Sequence, residues 1–322
     1  MTTSSSDLQR SLHGAERLWL FSTAALVAAL GSRWLPSGWP WVPLAIAAIA
    51  VAIWHGAFDS VLAEETLQPQ YGSAWRPAFY ASYLALAAVV VLLWWAAPTL
   101  ALTMFLLYSA LHFGTESEQR LSPGRVLTGV ATGLLPIAAA CHWWPHEVTA
   151  IFAAMLRGGV PHAPEMTSVA GWLLWPVAAV CIVGACRTRN HVLGSLVLIA
   201  TELALFRWCS PLAAFAVFFC LWHTPEHMVS TSLDSSGRFQ LSKMKQHLWR
   251  GVGPWLLSLA AMAIMGWYSR RTAPAYAGVL FIVLSALTVP HMVLAELCRR
   301  RHIFASEPNS TGFAFHRAEI RG

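Results

Sequence analysis

Five histidines lie inside or at the ends of apolar runs: His55, His112, His223, His227 and His291. An imidazole serves as metal ligand, acid or base, and in hydrocarbon it is costly unless it faces a partner. His223 and His227 are spaced i, i+4, which puts both rings on one helix face, where they suit one metal ion. Pro225 lies between them and Pro290 precedes His291. In a membrane helix proline opens the backbone ladder and re-aims nearby side chains. Carboxylates recur beside the histidines: Asp59 is four residues after His55, and Glu116 four after His112. A ligating imidazole usually gives its other N–H to such an oxygen, which fixes the tautomer. The alternative for both is a helix-end carboxylate facing cytoplasmic water. Glu226, one residue before His227, falls on a different face and reads as solvent-facing. The other eight histidines (His13, His142, His146, His162, His191, His247, His302 and His316) fall in polar ends, loops and helix edges, and read as solvated or interfacial.

Composition says which elements must carry these residues. Of 322 residues, 57% are hydrophobic and 11% charged, against about 25% charged in soluble domains. A soluble globule cannot hide so much apolar surface, and a disordered chain has the opposite composition. The net charge of +6 is scattered between apolar runs rather than gathered in a patch, so no nucleic-acid partner is expected. The six cysteines stand singly, without a C-x-x-C pair, which suggests neither a zinc knuckle nor a disulfide framework.

A membrane span takes about 20 mostly apolar residues. Charge-free runs at 18–32, 41–58, 77–98, 99–115, 126–146, 166–186, 208–225, 251–269 and 272–295, with 190–206 interrupted only by Glu202, predict an all-α, polytopic membrane bundle of about ten helices. With the N-terminus inside, 16 of the 21 Lys and Arg fall on cytoplasmic segments. That bias predicts both termini in the cytoplasm and a multi-pass protein of the inner (plasma) membrane. Residues 1–16 read as a disordered arm, 17–300 as one transmembrane domain and 301–322 as a cytoplasmic tail. The connections 146–165 and 233–250 are long enough for short interfacial helices.

In this topology the helices bearing the five histidines all run from outside to inside. At 1.5 Å per residue the five fall roughly 18–24 Å from the outer face, in one layer. Five imidazoles at one depth on four helices point to a metal centre, and neutral imidazoles without a thiolate suit iron, zinc or copper. Aromatics beside them, Trp54, Tyr108, Phe113, Phe218, Phe219 and Trp222, are candidates to line a substrate tunnel, although aromatics also serve ordinary helix packing.

Four motifs stand in the chain: W-H-G-A-F-D (54–59), H-F-G-T-E (112–116), F-C-L-W-H-T-P-E-H (219–227) and T-V-P-H-M (288–292). Together they resemble the Brp/Blh family of membrane-bound β-carotene 15,15′-dioxygenases associated with microbial rhodopsins, over about 50–298. The resemblance implies Fe(II) held by His55, His112, His223 and His227, with the role of His291 open. It implies cleavage of the central double bond of β-carotene by dioxygen to two all-trans-retinal. It further implies a substrate dissolved in membrane lipid and a functional link to a retinal-binding rhodopsin. S-V-L-A-E-E (60–65) and Glu226 differ from the family pattern.

Other classes fit less well. A di-iron desaturase or hydroxylase uses several H-x-x-x-H and H-x-x-H-H boxes, and this chain has one H-x-x-x-H and no adjacent His pair. A metal transporter or a rhodopsin accessory protein would spread ionisable groups over several depths, whereas outside the histidine layer only Glu202 sits mid-membrane. An iron oxygenase acting on another apolar polyene or a terpenoid remains the alternative within the same chemistry.

Overall fold

A computed structural model describes residues 5–32, 46, 48–50, 53–115, 123–156, 162–187, 192–232, 239–268 and 273–306. Glu116 and His191 lie outside these, as do the side chains of His55 and Glu226. Every element among the described residues is a helix. In chain order they are α1 (Ser5–Gly31), a 3-10 segment (Ile53–Phe58), α2 (Asp59–Tyr71), a 3-10 turn (Gly72–Ala74), α3 (Trp75–Ala96), α4 (Pro98–Thr115), α5 (Pro123–Trp143) and α6 (Pro145–Met155). There follow α7 (His162–Trp172), α8 (Leu174–Arg187), α9 (Val192–Trp208), α10 (Pro211–Phe218), a π segment (Phe219–His223), α11 (Thr224–Thr231), α12 (Leu241–Tyr268) and α13 (Ala273–Ser306).

Among the described residues, four stretches are long and apolar enough to cross a bilayer: Asp59–Ala96, Val126–Trp143, His162–Arg187 and Pro274–Leu297. Leu18–Gly31 and Pro98–Gly114 are shorter apolar helices. Leu92 and Trp95 of α3, Trp172 of α7, Trp175 of α8, and Leu257, Ile264 and Trp267 of α12 are each more than half exposed. In water such a surface would drive aggregation, whereas lipid tails solvate it. The chain is an all-helical membrane protein.

Proline punctuates the apolar runs. Pro98 cannot donate to the carbonyl of Trp94, so the backbone breaks at Ala97 and Pro98 opens α4. The expected single run 166–186 divides at Leu173, whose N–H is shared between the carbonyls of Val169 and Ala170 (3.3 and 3.2 Å) just before Pro176. With only Gly14 and no proline between Ser5 and Gly31, α1 runs unbroken from Ser5. Leu241 opens α12. At 1.5 Å per residue the 34 residues of α13 extend about 51 Å. The connection 146–165 does hold a short helix, α6.

Two cores form. One gathers Ile53, Leu102, Phe152, Met155, Phe219, Leu280 and Leu284 around α4, α6 and α13. The other gathers Phe21, Leu135, Leu174, Leu205, Phe206 and Phe218 from α1, α5, α8, α9 and α10. The helix bearing His112 is set by glycine. A Cβ on Gly133 of α5 would lie 2.0 Å from the carbonyl oxygen of Ala110, and one on Gly114 would lie 1.7 Å from that of Gly129. The G-x-x-x-G pair Gly129 and Gly133 therefore lets α4 and α5 meet backbone to backbone.

Candidate metal centre

Most candidate histidines stand at a helix end or beside a proline. Asp59 opens α2 directly after the 3-10 segment that carries His55. His112 lies in the last turn of α4. His223 ends the π segment, in which the N–H of Thr224 reaches back five residues to the carbonyl of Phe219. Pro225 has no N–H to give the carbonyl of Leu221, so the turn widens. His291 follows Pro290 inside α13.

These points converge. His112, His223, His227 and His291 are all buried. The ring centroids of His112 and His223 are 4.7 Å apart, those of His112 and His291 5.1 Å, and those of His227 and His291 5.0 Å. Four of the five histidines expected in one layer thus have their rings close together; the ring of His55 lies outside the described residues. Among the described residues no group of three or more His, Cys, Asp or Glu side chains is placed to hold a metal ion, and the side chain of His55 lies outside them. The ring separations can be compared with those of imidazoles around one ion. An imidazole nitrogen about 2.1 Å from a metal places its ring centroid about 3.2 Å away, so neighbouring ligands have centroids about 4.5–5.2 Å apart. All three observed separations fall in that interval. Neutral nitrogen donors in an apolar bundle suit iron, zinc or copper.

Asp59 is 2% exposed, which overturns its reading as a water-facing carboxylate. Its Oδ1 lies 2.6 Å from Nδ1 of His291, and its Oδ2 accepts a hydrogen bond from the Tyr83 hydroxyl at 3.0 Å. The expectation based on i, i+4 spacing paired Asp59 with His55. The described partners come instead from α13 and α3, because Asp59 sits where α2 meets both. Glu116, the corresponding candidate beside His112, lies outside the described residues.

Two residues of this region escaped sequence reasoning. Tyr83 is one phenol in an apolar run, and nothing in its spacing relates it to Asp59. His247 reads from sequence as interfacial; it is 1% exposed, with its ring 5.1 Å from that of Phe58. It precedes the apolar run that starts at Gly251. Burial first, then the charges of Lys243 and Arg250 and the nearby His227, push its pKa down to about 4, so it is neutral at physiological pH. Its flanking basic residues hid it, because they mark the cytoplasmic edge without showing which way the ring turns.

Beside the histidines lies a cavity of about 690 Å³, lined by Asp59, His112, His291 and mostly apolar side chains. Of the tunnel candidates, Phe113 and Phe219 line it. Both also pack on His223, at 4.8 and 5.3 Å between centroids. The others lie elsewhere. Trp54 stacks on Trp255 at 4.4 Å and donates to the carbonyl of Leu248. Trp222 and Phe218 pack on Phe21 of α1, and Tyr108 is exposed. A helix presents neighbouring aromatics to different sides, so adjacency in sequence to a histidine did not place them at the cavity. Glu202 is buried in α9, which packs on α1, α5 and α8.

The family model described as Beta-carotene 15,15′-dioxygenase matches residues 46–299. This chain belongs to that family. His55, His112, His223, His227, His291, Asp59 and Tyr83 all lie within the matched stretch. Among relatives of the β-carotene 15,15′-dioxygenase family, the chain is 27% identical over 278 residues to "Beta-carotene 15,15'-dioxygenase" of Uncultured marine bacterium 66A03, covering 81% of this chain and 94% of that protein. It is 26% identical over 304 residues to "Probable beta-carotene 15,15'-dioxygenase Blh" of Halobacterium salinarum, covering 85% of this chain and 88% of that protein. No solved structure matches the chain.

Proposed function

We propose that this carotenoid-cleaving dioxygenase splits the central 15,15′ double bond of β-carotene to two all-trans-retinal, using one iron ion held by His55, His112, His223 and His227. The observation that supports the metal reading is the 4.7 Å separation of the His112 and His223 rings, with His291, outside that ligand set, 5.1 Å from His112 and 5.0 Å from His227; His55 rests on the resemblance to the family. Family membership carries the substrate. Iron(II), when bound, would supply activation of dioxygen. The reaction balances without a further reductant: the alkene and dioxygen together contain every atom and electron of the two aldehydes.

The chain's own residues supply the rest. Asp59 keeps a proton on Nδ1 of His291, so that ring presents Nε2 as its lone-pair nitrogen. Phe105, Phe113, Phe215, Phe219 and Phe281 line the cavity and exclude water from a hydrocarbon substrate. Tyr80, Leu84 and Val91 of α3 and Leu257 of α12 line the same cavity and are also exposed. The cavity thus reaches the lipid-facing side where α3 and α12 both pack on α13, which suits a substrate that arrives dissolved in the bilayer.

The bundle is read as ten spans in the inner membrane, with both termini cytoplasmic, on the charge bias of the connections. Retinal released there would serve a retinal-binding rhodopsin. Expression in a β-carotene-accumulating bacterium tests the activity: loss of orange colour with appearance of retinal is expected. Unchanged carotenoid, or products other than a single C20 aldehyde, would refute it.

A further inference from the structure

The known chemistry assigns no task to Tyr83. It stands on α3 with Tyr80, Leu84, Ala87 and Val91, all of which line the cavity, and Tyr83 lines it too. Its hydroxyl lies 3.0 Å from Oδ2 of Asp59 and 3.2 Å from the carbonyl oxygen of Leu287 on α13. Asp59 opens α2 and reaches His291 on α13 through its other oxygen. One phenol thus ties three helices together at the point where the substrate cavity meets the imidazole cluster.

A phenol has one proton and faces two acceptors here. The carboxylate is the stronger, since a hydrogen bond to an ionised oxygen is roughly twice as strong as a neutral one. Asp59 then has each oxygen committed, one to Tyr83 and one to His291. A carboxylate held at one oxygen cannot rotate, so the other stays aimed at Nδ1 of His291.

We propose that Tyr83 is a positioning residue for the dioxygenase reaction: acting through Asp59 from the cavity wall, it fixes the tautomer and tilt of His291 beside the metal-binding imidazoles. This rests on the iron-dependent reading given above. The pairing predicts that Tyr83 acts on the metal side of the reaction although its ring belongs to the substrate wall.

Tyr83→Phe removes the hydroxyl and keeps the ring that packs edge-on to Phe79, 5.5 Å between centroids. The full-length protein in lipid nanodiscs would be measured for iron dissociation by chelator competition, and for kcat and KM with β-carotene. Loss of a direct outer partner of a metal ligand costs about 10–100-fold; Tyr83 acts through Asp59 and His291, which stand beside the proposed ligands, so we expect the low end: iron dissociating about 10-fold more readily and kcat falling, with KM within twofold. In the Asp59→Ala background, Tyr83→Phe should add nothing. Unchanged iron dissociation, a rise in KM alone, or additive effects of the two substitutions would overturn the proposal.

A readout independent of iron is the ¹⁵N-histidine spectrum, with the His291 signal identified by its loss in His291→Gln. It should show one Nδ1-protonated tautomer in the unsubstituted protein and a mixture in Tyr83→Phe. If the protein binds no iron, the functional reading fails while this spectrum still decides the role of Tyr83. Should Tyr83→Phe not fold, 3-fluorotyrosine at position 83 keeps the shape and makes the hydroxyl a stronger donor; an unshifted His291 signal there would likewise overturn the proposal.

Discussion

The glycine contact between α4 and α5 gives the most quantitative test of how the fold positions the site. In Gly133→Ala the new Cβ would start 2.0 Å from the carbonyl oxygen of Ala110, and real Cβ contacts are essentially never under 3.0 Å. Backbone stands on both sides, so no side chain can swing away, and α4 must retreat by about 1 Å. His112 lies two residues beyond Ala110 on that helix and moves with it, against neighbours whose rings are 4.7 and 5.1 Å away. Overpacking of this kind costs about 1–3 kcal/mol, offset in part by the roughly 1 kcal/mol gain of Ala over Gly in a helix. Net stability should therefore fall by no more than about 2 kcal/mol. Activity is more sensitive, because a misplacement of about 1 Å costs on the order of 100-fold. The assay is retinal formation together with thermal unfolding of purified protein. Gly194→Ala in α9 is the control, since its Cβ would meet only the side chain of Leu18, at an ordinary 3.7 Å. Equal behaviour of the two variants would refute the claim that backbone contact between α4 and α5 holds His112 in register.

Replacing His112, His223 or His227 by Ala should abolish most iron binding and retinal formation, read by metal analysis and product assay; chelation followed by iron should restore the unsubstituted protein. Asp59→Asn replaces a charged acceptor with a neutral one at the 2.6 Å contact with His291, so activity should fall about 10–100-fold with the fold retained; unchanged turnover would remove Asp59 from the site. Trp94→Phe deletes the 2.6 Å hydrogen bond from the indole N–H to the buried hydroxyl of Ser285 and should cost about 1–3 kcal/mol in thermal unfolding, with little change in retinal yield. Reporter fusions at the two ends should both report cytoplasm, and opposite locations would mean an odd number of spans.

Much of the centre was legible in the chain because membrane helices turn simple spacing into position. Apolar length sets the spans, charge bias sets their direction, and the 1.5 Å rise then converts residue offset into depth. On that basis His112, His223, His227 and His291 are expected in one layer, and their rings stand close together. The i, i+4 pair needed no tertiary information, since both residues belong to one local run. What the chain by itself could not state is rotation and adjacency between helices. Asp59 has its i, i+4 histidine in His55, yet its described partners, His291 and Tyr83, lie 232 and 24 residues away. Trp222 directly precedes His223 but faces Phe21, and His247 carries its ring inward beside a basic flank. Each of these depends on which face one helix turns to another. That is decided by close packing, here by Gly129 and Gly133 under α4 and by the proline-opened turns before His227 and His291. Spacing along one helix constrains depth and local face, and only the packed bundle decides which faces meet.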